Sequence, residues 1–340
     1  MTRSEQSGDR VAPLNIQAVA DAAGVSKTTV SHVLSGNRPV SAATRRRVER
    51  VMEELDFRPN FFAQALNSRK SRTVALIAQD MTNPFYPALA RGLQNSLATA
   101  NQVVMLFDAG AGQSLTRTFV DEIIQRRTDG VVVAVSNVED ELLELQRAGI
   151  AVVAVGSGLS GMPIDWASSD DEQIGFDATT HLHGRGHRRI GIISGPPSAE
   201  PGGARLAGYV KAMHELGLAA DPHLCALGDW SRDSGTAALY QLLDQPEPPT
   251  AVFCANDLMA IGALDAAHES GLDVPGDLAI VGVDDIDAAR LVRPALSTVR
   301  VPAQEIGRAA GDLLLHRIAE PDGARRHVLV RHSLITRHSA

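Results

Sequence analysis

Residues 73–78 form an apolar run without polar alternation, and similar runs return at 103–107, 131–135, 151–155, 189–193, 251–254 and 278–283. This repetition limits the fold more than any other feature of the chain. A strand that is apolar on both faces must be covered on both. Between the runs lie stretches with apolar residues at helical spacing, at about 87–100, 115–126, 139–148, 174–183, 204–216, 234–243 and 258–270. A last one, at about 303–318, precedes an extended tail at 328–335. Strands alternating with helices of this length predict parallel, doubly wound sheets. The elements suffice for two similar α/β lobes. Ligands in such sheets lie beyond the carboxyl ends of the strands, which predicts a pocket in the cleft between the lobes.

Residues 15–58 follow a different rule. Val25 to Leu34 reads as one short helix with two faces: Val30, Val33 and Leu34 form an apolar stripe, while Lys27, Thr28, Ser31 and His32 form a polar one. Ser26 stands where an N-cap is expected. Upstream, Ile16, Val19, Ala20 and Ala23 make a second helical stripe, and Gly24 separates the two. Downstream, Ser41 caps a third helix whose buried stripe is Val48, Val51, Met52 and Leu55. Helix, glycine turn, helix is the helix-turn-helix pattern, whose second helix enters the DNA major groove by its N-terminal residues. A helical hairpin with a solvated polar face has the same local pattern, so the motif alone leaves both readings open.

Charge separates the two parts. Residues 1–72 carry 12 Lys and Arg against 7 Asp and Glu, and the remainder carries 20 against 33. A basic end on an acidic body fits nucleic-acid binding by the first part only. The third helix itself holds Arg45, Arg46, Arg47 and Arg50. The two cysteines, Cys225 and Cys254, make neither a disulfide framework nor a metal knuckle. No signal-peptide core and no apolar run of membrane-spanning length occurs. These features predict a cytoplasmic, nucleoid-associated protein.

Residues 1–14 read as a disordered lead-in, and 59–72 as a hinge helix and linker. Pro59 ends the third helix, and Asn60 can cap a short new one. Residues 61–66 are too few for a stable isolated helix, so a partner chain or DNA must order them unless the segment is a plain linker. Arg69, Lys70 and Arg72 supply charge for phosphates.

Several motifs, in order and at matching spacing, carry a resemblance. They are Ala23-Gly-Val-Ser-Lys-Thr-Thr-Val-Ser-His-Val-Leu34, Phe57-Arg-Pro-Asn60, Thr82-Asn-Pro-Phe-Tyr86, Gly186-His-Arg-Arg-Ile-Gly191, Asn256-Asp-Leu-Met-Ala260 and Gly282-Val-Asp-Asp285. Over residues 15–338 the chain resembles the lac repressor family (LacI/GalR type) of bacterial transcription regulators, and within it the purine-repressor branch. The resemblance implies an N-terminal all-α helix-turn-helix head and a two-lobed, doubly wound parallel α/β sensor of the periplasmic-binding-protein type. It implies a homodimer on a palindromic operator, with a hinge helix from each subunit in the minor groove. A tetramerising leucine-heptad tail is not seen before Ala340, which favours the dimer. The expected lobes are 73–168 with 298–320 and 169–297 with 321–340.

Site residues follow from motif and chemistry together. Lys27, Thr28 and His32 are expected to read bases, with Ser26 and Thr29 nearer the phosphates. Many relatives have Arg where this chain has His32. Asn37, Arg38 and Asn60 are expected at the backbone. Leu66 matches the family's hinge leucine, an apolar wedge between base steps, with small-core packing as the alternative. In the cleft, Phe85 and Tyr86 follow the first strand, Arg205 opens a helix, Trp230 precedes one, and Asn256 and Asp284 end later strands. Aromatic walls with Arg, Asn and Asp suit a polyhydroxylated ring. Singly, these residues also suit caps, surface pairs or core. Where the purine-binding branch has a further Arg and a Thr, this chain has Ala199 and Pro201. A sugar or sugar derivative is therefore preferred as effector over a purine or nucleoside.

Two patterns mislead. Gly156-Ser-Gly-Leu-Ser-Gly161 is a GxGxxG after a strand, but no helical pattern follows to bind a dinucleotide. His181, His183 and His187 look like metal ligands, yet residues two apart on a helix point apart and no carboxylate or thiol completes a set. The sequence holds no nucleophile elbow or other catalytic set, and no cofactor is expected. The expectation is a DNA-binding transcriptional regulator, by preference a repressor, and not an enzyme. The alternatives are the same regulator with a purine or nucleoside as corepressor, and a solute-binding protein without DNA activity.

Overall fold

The computed structural model describes residues 15–35, 38–58, 71–110, 117–156, 161–198 and 200–340. The chain divides into two compact units, Met1–Ser71 and Arg72–Ala340. The expected lead-in at 1–14 lies outside the described residues, as do residues 59–70 of the hinge, with Asn37, Asn60, Leu66 and Ala199.

The first unit contains α1 (Ile16–Ala23), α2 (Lys27–Ser35) and α3 (Ala42–Glu54). The Asn15 side chain caps α1 by accepting from the Gln17 and Ala18 amides. Gly24 ends it at φ 60°, a left-handed conformation open to glycine at little cost. The second helix begins two residues later than the sequence suggests, because Val25 and Ser26 are used in the turn. Ser41 caps α3 through the Thr44 amide. Val19, Ala20, Val30 and Val48 are fully buried at the centre, with Ala23, Val33 and Val51 around them. Arg45 ties α3 to α2, donating to the Val33 carbonyl at 3.3 Å.

The second unit has two six-stranded sheets. The first comprises β1 (Thr73–Ala78), β2 (Val103–Asp108), β3 (Gly130–Ala134), β4 (Ala151–Val155), β5 (Asp165–Ser168) and β11 (His327–Leu329), in the order β11-β5-β4-β3-β1-β2. All its pairs are parallel. The second comprises β6 (Ile190–Ser194), β7 (Cys225–Leu227), β8 (Ala251–Cys254), β9 (Ala279–Asp284), β10 (Ser297–Arg300) and β12 (Ser333–Ile335), in the order β12-β10-β9-β8-β6-β7. It is parallel except for β12. The helices are α4 (Phe85–Ala98), α5 (Arg117–Gln125), α6 (Glu139–Arg147), α7 (Asp171–Gly184), α8 (Gly202–Glu215), α9 (Arg232–Leu243), α10 (Asp257–Glu269), α11 (Asp287–Leu291) and α12 (Ala303–Ala319).

The chain crosses between the sheets after β5, after β10 and after β11. Strand β10 therefore belongs to the second sheet and β11 to the first, which corrects the expected lobe breaks near 298 and 321. For β11 the physical reason is a buried clamp. Arg317 holds Asp165 through two bonds of 2.7 and 3.0 Å and donates to the carbonyls of Glu320, Pro321, Gly323 and Ala324. The Arg326 amide also donates to Asp165. This brings the chain beyond α12 back beside β5.

Three helix pairs pack backbone to backbone through glycines. A Cβ on Gly175 would lie 2.1 Å from the Arg205 carbonyl oxygen, and one on Gly208 would lie 1.9 Å from that of Glu172. Gly92 with Gly307, and Gly235 with Gly262, serve the pairs α4–α12 and α9–α10 in the same way. The α7–α8 approach brings Arg205 of α8 within 3.0 Å of Asp171 of α7.

Candidate functional site

The carboxyl ends of both sheets face one cavity of about 620 Å³. Phe85, Tyr86, Arg205, Trp230, Asn256 and Asp284 all line it. They come from five separate stretches of sequence. The wall also includes residues that sequence reasoning does not select: Asp80, Asn83, Ser136, Ser169, Asp171 and Glu200 among them. Asn83 stands inside one of the quoted motifs. Asp171 lies just past the expected lobe boundary at 168/169. Glu200 gives no sequence signal at all.

Arg205 is placed by its neighbours. Only 5% exposed, it donates from Nε to Asp171 at 3.0 Å, and its Nη2 lies 2.9 Å from the same carboxylate. Its Nη1 donates to the Ala255 carbonyl. The glycine contact between α7 and α8 makes this reach short. Burial raises the Asp171 carboxyl, and the guanidinium opposes that rise. Three of the five N–H groups of Arg205 are thus used inside the protein.

Trp230 and Asn256 form one device. The Asn256 side chain caps α10 through the Met259 amide and donates to the Trp230 carbonyl, both at 2.9 Å. Trp230 itself sits at φ 76°, a left-handed conformation that is costly for a side chain of this size. Its indole packs over Gly195, where a Cβ would come within 2.1 Å of the ring. Across the cavity, Phe85 and Tyr86 meet edge to face with centroids 5.4 Å apart. Burial, then Asp284 and Asp80, raise the Tyr86 hydroxyl well above its ordinary range.

Asp284 ends β9 at φ 116°, followed by Asp285 at φ 58°. Buried Asp257 anchors this turn, accepting from the Ile286 amide at 2.9 Å and the Thr298 hydroxyl at 2.6 Å. Arg300 and Arg337 grip Asp285. Burial pushes the Asp284 carboxyl up to about 7, with Arg205 pulling down and Asp171 pushing up. Burial likewise raises Glu200. The two lobes touch where the Ser136 hydroxyl donates to the Glu200 carbonyl at 2.9 Å.

On the first unit, the Ser26 hydroxyl accepts from the Thr29 amide at 3.1 Å and pairs with the Thr29 hydroxyl at 2.8 Å. Both residues are thus occupied in starting α2. Lys27 and Thr28 are exposed beside them, and His32 is half-buried one turn on. Arg46, Arg47 and Arg50 are exposed on α3.

Neither misleading pattern forms a site. Past the glycine-rich stretch, of which 157–160 lie outside the described residues, the chain enters β5 rather than a helix. Among the described residues no group of His, Cys, Asp or Glu is arranged to hold a metal ion. The His187 ring instead lies 3.0 Å from the Thr250 hydroxyl. No helix of the described residues is long and apolar enough to cross a membrane.

Comparison with known proteins gives two family matches. Residues 15–60 match the model of bacterial regulatory proteins of the lacI family, and residues 179–340 match a periplasmic binding protein-like domain. The HTH-type transcriptional repressor CytR of Escherichia coli K12 is 38% identical over 301 residues, 88% of each chain. Among solved structures, a lac repressor dimer bound to operator and the anti-inducer ONPF superposes with a TM-score of 0.85. It is 27% identical, covering 96% of this chain and 99% of the other. The complex of the transcriptional regulator CelR with cellobiose superposes at 0.74, with 31% identity over 96% of this chain and 100% of the other.

Proposed function

Because the chain belongs to the lacI family of bacterial regulatory proteins, we propose that it acts as a homodimeric repressor on a palindromic operator, controlled by a neutral sugar or sugar derivative held between the two α/β lobes. It is a DNA-binding regulator and not an enzyme. It works in the cytoplasm, on the nucleoid. Residues 15–58 are the DNA-binding head, 59–72 the hinge and 73–340 the sensor.

In the head, Lys27, Thr28 and His32 read base edges, while Ser26 and Thr29 approach phosphates from the start of α2. Asn37 and Asn60 meet the backbone, and Leu66 wedges between base steps. In the sensor, Tyr86 and Trp230 stack on the apolar face of the ring. Arg205, Asn256 and Asp284 pair with its hydroxyls. Ligand and operator are coupled through the different affinities of open and closed lobes for the ligand.

One observation carries the effector assignment. Six residues chosen for the chemistry of a sugar ring, from distant parts of the chain, border one cavity together. The test is a thermal-shift survey of the whole chain against hexoses, pentoses, polyols, disaccharides, nucleosides and purines. A ligand at 100 times its dissociation constant adds about 2.7 kcal/mol to the folded state, a rise of a few degrees in Tm. A sugar or polyol that raises Tm supports the assignment. A purine or nucleoside that does so alone replaces it with the corepressor reading.

A further inference from the structure

We infer that the effector is an amine-bearing polyol, of the amino-sugar kind, carrying no phosphate or carboxylate. The inference rests on the reading of the cleft as an effector site and narrows the chemistry of that effector.

Among the described residues, the cleft carries more carboxyl groups than cations. Asp80, Glu139, Asp171, Glu200, Asp229 and Asp284 border it, against one cation, Arg205. That cation is already held by Asp171 and the Ala255 carbonyl. Three serines have used their protons inside the protein. Ser136 donates to the Glu200 carbonyl, Ser168 to the Ser169 carbonyl and Ser169 to the Val330 carbonyl. The Asn256 amide donates to Trp230. Each of these hydroxyls can still accept, and Gln79, Asn83, Tyr86 and Trp230 bring donors to the same wall, so it suits a polyol in both senses.

The carboxylates are not all alike. Glu139 and Asp229 are exposed at the rim, where water screens them. Asp171 is buried, Glu200 and Asp284 are half-buried, and of these only Asp171 is ion-paired with a cation. A metal does not account for the surplus, since no such group among the described residues can hold one. Charges in a shielded cleft interact more strongly than in water. A phosphate would meet that repulsion, while an ammonium group relieves it. The Asp284 carboxyl, pushed up to about 7 by burial, is the group an ammonium would return to its ionised form. The cavity, at about 620 Å³, has room for one or two sugar rings.

The experiment uses matched probes on the whole chain at pH 7.5, by calorimetry and thermal shift. One trio is glucosamine, glucose and glucose 6-phosphate. A second is galactosamine, galactose and galactose 6-phosphate. A third is the β-1,4 glucosamine dimer, cellobiose and cellobiose 6-phosphate. In at least one trio the amine should bind about tenfold or more tighter than its neutral partner, the worth of one charge-assisted hydrogen bond. The phosphate in that trio should bind at least as much weaker. Added salt and the Asp284→Asn substitution should both shrink the amine's advantage. A phosphate that binds as well as its neutral partner overturns the inference. So does a neutral sugar that binds better than its amine, and either result leaves the sugar cleft standing. Silence from every probe overturns the sugar reading and this inference with it.

Discussion

Asp284 and Asp165 are both largely shielded from water, and their surroundings move them in opposite directions. Burial raises Asp284 to about 7, and the pull of Arg205 does not offset it. Burial would also raise Asp165, but Arg317 and the Arg326 amide overcome it and leave that carboxyl low. The consequences for stability have opposite signs. The folded protein holds the Asp284 proton to higher pH than the unfolded chain does, so that contribution is present in acid and fades as pH rises toward about 7. The Asp165 contribution is present above the ordinary carboxylate range and is lost as pH falls through its depressed value. Melting temperatures measured from pH 5 to 8 should therefore decline less in Asp284→Asn than in the parent chain; equal slopes would remove Asp284 as their source. In the head, His32 is proposed to contact a base rather than a phosphate. His32→Ala should then cost about 1–3 kcal/mol at one base pair of each half-site. Binding to random duplex, measured by anisotropy at the same salt, should stay unchanged. At this scale the sequence is readable where a motif marks a residue, as for Tyr86, Asn256 and Asp284. It is silent on Glu200, whose place in the cleft depends on how the loop before α8 is folded.

The elements easiest to foresee are those whose burial is purely apolar. Strands β1, β3, β4, β6, β8 and β9 are buried valine, isoleucine and alanine runs, and each is legible in the sequence. Strands β5 and β10 are not, because their buried residues are polar: Asp165 is satisfied by Arg317, Thr298 by Asp257, and the Ser297 hydroxyl by the Arg337 amide. Periodicity cannot register a strand whose partners lie more than a hundred residues away in sequence, as Asp165 and Arg317 do. That clamp is the most exacting feature of the lobe crossing. Arg317→Ala leaves a buried carboxylate without its cation and takes one donor from each of four carbonyls, and should cost about 3–5 kcal/mol in urea unfolding. A loss below about 1 kcal/mol would mean that water replaces the arginine freely. The α7–α8 contact is equally specific. Gly208→Ala drives a methyl into the Glu172 carbonyl, and overpacking of this kind costs about 1–3 kcal/mol. It should also weaken effector binding, because Arg205 and Asp171 lie on the two helices forced apart. Unchanged affinity in a destabilised protein would separate the packing from the site.

At the scale of the whole molecule, division of labour is written in the charge distribution of the chain. A basic stretch of 72 residues precedes an acidic body, and the two compact units divide within one residue of that boundary. The two lobes are legible in the alternation of strands and helices, yet the paths between them are not, since short strands and crossings have no periodic signature. The two units together make a sequence-specific DNA reader governed by a small molecule. The most direct test of this function is selection of duplexes by the full chain from a random pool, at fixed salt, followed by rebinding of the winners with and without the best ligand. A homodimeric, ligand-controlled regulator should select a palindromic consensus of two half-sites, with affinity that changes when ligand is added. An asymmetric consensus, or no enrichment over random duplex, would contradict that function.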